Sequence, residues 1–171
     1  MLAEAGFDVY ALDSSSAMVE HTRSRLAGLV PRSEAERRVL RGDMRDLSVF
    51  DDESFQLVVA LGILHQAESR AVWEAAVLEV ARVLVDGGRL LGAAWCPRTR
   101  PEGLPLEPAP DEESVYLGPH SGRHYLLGPS EHDDEMRLLG FMSEVPTEEV
   151  RVSTERGERV TINSLYRRVR S

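Results

Sequence analysis

Apolar residues along this chain fall into short unbroken runs, separated by longer stretches with helical spacing. Residues 8–12 (Asp8-Val9-Tyr10-Ala11-Leu12) follow Gly6 and read as a short buried strand. Ser14, Ser15 and Ser16 then offer side-chain oxygens as helix N-caps. The spacing predicts a helix running to about Leu29, with Met18, Val19, Thr22 and Leu26 toward the core. Gly28 and Pro31 end it. The polar residues 32–38 fit either a loop or a short helix. Val39-Leu40-Arg41 is a second short strand, closed by Gly42-Asp43.

After an acidic connection over residues 46–54, Phe55–Leu61 is apolar except for Gln56. It lacks the alternation of a half-exposed strand, so it predicts a parallel strand covered on both faces. Residues 71–84 show the clearest helical period, with Val72, Trp73, Ala76, Val77, Val80, Ala81 and Leu84 on one face. Asp86-Gly87-Gly88 is expected to end that helix, and residues 89–95 to form the next strand.

Composition shifts at Cys96. Seven of the nine prolines lie between Pro97 and Pro129. So dense a run of proline predicts a long loop or cover without regular structure. Regular spacing returns at Ser130, where Asp133 three residues on resembles a capping box. Met136, Leu138 and Leu139 are expected to pack, and Gly140 to stop the helix. Residues 148–153 and 159–166 read as two strands joined by a turn at Glu155-Arg156-Gly157-Glu158. Strands alternating with helices, then a terminal hairpin, predict a single α/β domain over residues 1–171. Its sheet is mostly parallel, with an antiparallel edge.

Bulk properties narrow the function. The net charge of −9 supplies no basic footprint for nucleic acid. No run reaches the ~20 apolar residues needed to span a membrane. Cys96 is the one cysteine, so no internal disulfide can form, and a reducing, cytoplasmic setting fits. All 20 basic residues are arginine, which excludes lysine Schiff-base chemistry. The five histidines show no ligand spacing with acids or Cys96, so no metal site is expected.

Three strand ends in order, at Asp13, at Gly42-Asp43-Met44 and at Leu61-Gly62, resemble the class I S-adenosylmethionine (SAM)-dependent methyltransferases of small-molecule type. The resemblance covers residues 2–169 and implies a Rossmann-like fold. It implies that Asp13 accepts the cofactor's ribose hydroxyls; the alternative is a carboxylate that caps the following helix. Asp13-Ser14-Ser15-Ser16-Ala17-Met18 matches the family's acid-x-Ser-x-x-Met segment, which brings in Ser14 and Met18. Asp43 would accept from the adenine amino group and Met44 donate its backbone N–H; the alternative for Asp43 is a solvated turn. Ala60 and Leu61 complete the implied cofactor contacts. Gly62-Ile63-Leu64-His65-Gln66 matches the segment beside the reacting methyl, where His65 would act as a base or orient the substrate; the alternative is a histidine satisfied by local hydrogen bonds. His120, His124 and Tyr125 are candidates for substrate contact from the proline-rich segment; the alternative for each is a surface loop residue. His21 and His132 are expected on helix surfaces without a specific role. Gln56 and Asp86 depart from the family's usual Asp and Pro.

The family's first strand and glycine-rich loop have no counterpart before Asp13. The sequence therefore predicts part of a longer product, or one with a misplaced start; alternatively, the flanking strands close directly, or another chain fills the slot. Exposed strand edges would favour a homo-oligomer. Two functions follow: methyl transfer from SAM to a small-molecule acceptor, or a non-catalytic methyltransferase-like module for binding or oligomerisation.

Overall fold

Why residues 11–13 and 39–41 form strands is clear from what surrounds them in the computed structural model, which describes residues 2–118 and 122–170. Cα packing divides the chain into two compact units, residues 1–47 and 48–171. In the first, β1 (Ala11–Asp13) leads into α1 (Ser16–Leu26), α2 (Arg32–Arg38) and β2 (Val39–Arg41), and β1 and β2 pair in parallel. The Ser15 hydroxyl caps α1 by accepting from the Met18 N–H. Val19, Leu26, Ala35 and Val39 form the core, with Ala3, Ala11 and Val30 against it. The expected strand over residues 8–12 is shifted toward its C-terminal end. The expected core residue Met18 lies 49% exposed, because the α1 stripe runs through Val19 and Leu26 instead.

The second unit begins with β3 (Phe55–Leu61), a single 3-10 turn at Leu64–Gln66, α3 (Arg70–Val83) and β4 (Leu84–Trp95). β3 and β4 pair in parallel, as the strand–helix alternation predicts. The Ser69 hydroxyl caps α3, whose buried face is Trp73, Ala76, Val77, Val80 and Val83. β4 starts immediately after the helix, because Leu84 already pairs with Phe55. Gly87 and Gly88 therefore sit inside the strand, at a register shift, rather than ending the helix.

The proline-rich segment is more regular than the sequence predicts. It contributes β5 (Arg100–Pro101), β6 (Glu107–Pro108), β7 (Val115–Gly118) and β8 (Gly122–Tyr125), the last three forming an antiparallel sheet. Proline is tolerated there because Pro101 and Pro108 lie in two-residue edge strands. His120 lies outside the described residues. Then α4 (Pro129–Leu138), β9 (Phe141–Ser143), β10 (Glu148–Thr154) and β11 (Gly157–Arg168) complete the unit. α4 is capped at Gly128, whose N–H donates to Glu131, two residues earlier than the expected Ser130 cap. Leu138, expected to pack, points outward at 76% exposure.

β11 organises this unit. It pairs antiparallel with β4, β5, β9 and β10, giving the sheet order β10-β11-β4-β3. Gly92 lets β11 approach, since a Cβ there would lie 2.9 Å from the Ser164 Oγ. Leu90, Val160, Ile162 and Tyr166 fill the core on one face. The opposite face carries Leu57, Val59 and Leu61 beside Leu91, and these side chains are exposed. The expectation that Phe55–Leu61 is covered on both faces therefore fails. Among the described residues, β3 pairs as a strand with β4 alone.

Candidate functional site

Both units place their chemistry at the carboxyl ends of parallel strands, where open α/β sheets present ligand-binding groups. In the first unit, Asp13 ends β1. Its Oδ1 accepts from the Ser15 N–H at 2.8 Å, so the carboxylate does join the turn into α1. Its other oxygen has no partner among the described residues, leaving an acceptor for a hydroxyl. Ser14 is exposed, and its carbonyl accepts from Arg41 Nε at 3.0 Å, tying the two strand ends together.

Asp43 follows β2 in a tight turn closed by the Asp46 N–H on its carbonyl. Gly42 packs closely just before it, where a Cβ would lie 2.6 Å from the Leu12 side chain. Arg45 grips the Asp43 carboxylate with Nε to Oδ1 at 2.8 Å and Nη2 to Oδ2 at 2.7 Å, and donates its backbone N–H to Oδ1. That grip pulls the carboxyl down to about 2. The Met44 N–H has no hydrogen bond among the described residues. Turn, free N–H and carboxylate together form a donor–acceptor edge of the kind an adenine ring matches.

In the second unit, Ala60 is buried near the end of β3, whereas Leu61 is 55% exposed. The Gly62 N–H donates to the Ala93 carbonyl at 2.7 Å, and the following 3-10 turn sets His65 inside the protein at 5% exposure. Its ring stacks on Trp95, at the end of β4, with centroids 4.5 Å apart and planes 12° apart. Gln66 Nε2 donates to its Nε2 at 3.1 Å. Its Nδ1 is buried without a partner. Burial, reinforced by the facing His124, pushes the imidazole down to about 4, so it is neutral at pH 7.

His124 on β8 joins this cluster. Its Nδ1–H donates to the His65 carbonyl at 2.8 Å, and its ring lies 5.3 Å from that of Trp95. It is buried rather than displayed on a loop. Tyr125, the next residue, alternates to Trp73 of α3 (centroids 5.6 Å) and is buried there, its hydroxyl pushed up to about 12 by desolvation. The structure thus gathers His65 and His124 and leaves Tyr125 apart.

Trp95 was missed as a site residue; an aromatic side chain on the less buried face at the very end of a strand was the available signal. His132 is a second correction. It is 4% exposed rather than on a helix surface, because it lies one turn before the buried Met136 on the same face of α4. Its Nδ1 donates to the Tyr166 hydroxyl at 2.7 Å, which donates to Asp133 at 2.5 Å; Thr147 donates to the same carboxylate oxygen at 2.5 Å. His21 is exposed, as expected. Among the described residues no group of His, Cys, Asp and Glu is arranged to hold a metal ion.

The family model described as a methyltransferase domain matches residues 1–88, just over half of the chain. The chain belongs to this methyltransferase family. A proposed methyltransferase of Encephalitozoon cuniculi is 40% identical over 57 residues, which are 33% of this chain and only 27% of that protein. Among solved structures, a SAM-dependent methyltransferase of Methanosarcina mazei aligns with a TM-score of 0.70 at 17% identity, covering 100% of this chain and 88% of that one. A Burkholderia thailandensis N1-methyltransferase, crystallised with 1,6-didemethyltoxoflavin and S-adenosylhomocysteine, aligns with a TM-score of 0.59 at 18% identity, covering 99% and 75%. These likenesses give the chain a class I, Rossmann-like fold. No helix among its described residues is long and apolar enough to cross a membrane.

Proposed function

We propose that this methyltransferase uses SAM to methylate a small-molecule acceptor, and that residues 1–171 act as one methyltransferase-like domain. The family match crosses from the first unit into the second, which supports the single domain. The cofactor assignment is supported by the donor set at the ends of β1 and β2. Asp13 would accept from ribose hydroxyls, while Asp43 and the free Met44 N–H would take the adenine edge; Ser14 and Met18 would flank them. Ala60 and Leu61 are assigned as further cofactor contacts. When bound, SAM supplies an electrophilic methyl group.

The protein's work is then to place the acceptor and exclude water. The observation that carries this assignment is the orphaned Nδ1 of His65, because a buried ring nitrogen without a partner is costly unless a ligand satisfies it. With Gln66 donating to Nε2, the Nδ1 carries the proton and donates to the acceptor. A ring held at about 4 is a weak base, so His65 orients substrate rather than removing its proton. His124 fixes the His65 backbone, Trp95 fixes its ring, and Tyr125 is kept as a substrate-contact candidate. The acidic balance of the chain favours a small molecule over nucleic acid, and a cytoplasmic setting suits the single buried thiol.

Calorimetric titration with S-adenosylhomocysteine tests the reading. Saturable binding is expected, weakened at least tenfold by Asp13→Ala with the circular dichroism spectrum unchanged. A folded chain that releases no heat contradicts it.

A further inference from the structure

A second feature of the larger unit lies just beyond the end of β4. A cavity of about 370 Å³ opens there, lined by Arg98, Arg100, Arg151 and Glu158 among others. Three guanidiniums at one cavity stand out in a chain of net charge −9. Two of them are partly satisfied. Arg98 pairs with Glu149, and Arg151 reaches Glu149 at 3.2 Å and Glu158 at 3.1 Å. Arg100 makes no ion pair or side-chain hydrogen bond among the described residues. The balance is three positive groups against two carboxylates, with the unpaired charge on Arg100.

The arrangement is built into the fold. Thr99 is buried, donating its hydroxyl to the Val160 carbonyl at 2.5 Å and accepting the Val160 N–H at 3.1 Å. Arg100 and Pro101 then pair with Glu158 and Gly157 of β11. Gly157 is required: its φ is +134°, and a Cβ there would overlap the backbone of Arg100 and Gly103. These bonds hold the loop so that Arg98 and Arg100 face the same cavity as Arg151.

We propose that this cavity binds an oxyanion group, a carboxylate or a phosphate, of a small molecule. A guanidinium fork matches both groups in two-point geometry, and Glu149 already shows a carboxylate shared by Arg98 and Arg151. Arg98 is three residues from Trp95, a backbone reach of at most ~11 Å. Resting on the methyl-transfer reading, the molecule held there is the acceptor, its anionic end in the arginine cavity and its reacting end toward His65.

The test uses the ¹⁵N-labelled full chain, titrated with sodium phosphate and separately with sodium acetate. Sodium chloride keeps the ionic strength constant. The expected result is saturable amide shifts at Thr99, Arg100 and Gly157, weakened at least tenfold in Arg100→Gln and also reduced in Arg151→Gln. Both side chains are exposed, so both variants keep the fold. Tighter phosphate binding assigns a phosphate-bearing molecule, and tighter acetate binding a carboxylate-bearing one. Shifts that do not saturate, or that persist in Arg100→Gln, overturn the proposal. Binding of S-adenosylhomocysteine, measured separately, keeps the two readings apart. If it persists without anion binding, only the cavity proposal falls; anion binding without it removes the acceptor assignment and leaves the oxyanion cavity standing.

Discussion

His65 and His132 are both buried, and desolvation pushes both rings down to about 4, yet their hydrogen bonding differs. The His132 Nδ1 is tied through the Tyr166 hydroxyl to Asp133 and Thr147. The His65 Nδ1 meets no partner. A satisfied buried network locks α4 against β11 and contributes to stability. An unsatisfied one costs stability, and in the proposed function a ligand completes it. Burial and a shifted ring are common to both; the missing partner is what supports the proposed role of His65.

The largest effect expected from this pair is on acid stability. Each ring titrates near 6.5 when unfolded and near 4 when folded, so the unfolded chain takes up protons first as pH falls. The stabilisation is fully present above pH 6.5 and is lost between pH 6.5 and 4, on the order of 3 kcal/mol for each histidine. His124 faces His65 and adds to its shift, whereas Asp133 beside His132 opposes it. Asp43, held at about 2 by Arg45, adds its own loss only below pH 3.8. Urea unfolding at pH 7 and at pH 4 measures the drop, and equal stability at both would break the account of both sites.

Next in size is Tyr166→Phe, which removes one oxygen, leaves the His132 Nδ1 without a partner and leaves Asp133 with the bond from Thr147 alone. We expect a loss of about 2–3 kcal/mol in urea unfolding at pH 7. A neutral result would mean that the His132 network is not structural. Trp95→Leu acts on the other member of the pair. Removing the stacked indole should cost about 1–2 kcal/mol and let the His65 titration rise from about 4 toward 6.5, with His132 unmoved. Histidine ring resonances followed by NMR against pH read both at once. The smallest effect should be Leu138→Gln, within about 0.5 kcal/mol in the same unfolding assay, because that side chain is almost entirely in water.

What could be read from the sequence follows the range of the signal. Asp13, Gly42-Asp43 and Phe55–Leu61 announce themselves because strand ends and tight turns are local. His132 was hidden because the acidic residues around it mark a solvated helix; its i,i+4 relation to Met136 was the usable clue. The β6–β8 sheet was hidden because its prolines sit at edges, where pairing does not need their missing N–H. The partners of His124 and Tyr125 depend on β8 docking beside the 3-10 turn, with the Tyr125 N–H on the Ala67 carbonyl, and that long-range contact leaves no local trace. The open face of β3 likewise depends on which elements come to lie over it, so a continuous apolar run could not reveal it.

His65→Phe asks whether the buried nitrogen of His65 is held for a ligand. Phenylalanine keeps the stack on Trp95 and removes the unpaired polar atom. Measured by urea unfolding at pH 7 without ligand, the variant should be as stable as the wild type or more so. A loss of 2 kcal/mol or more, matching Tyr166→Phe, would mean that His65 is a satisfied structural residue like His132, and would contradict the assignment.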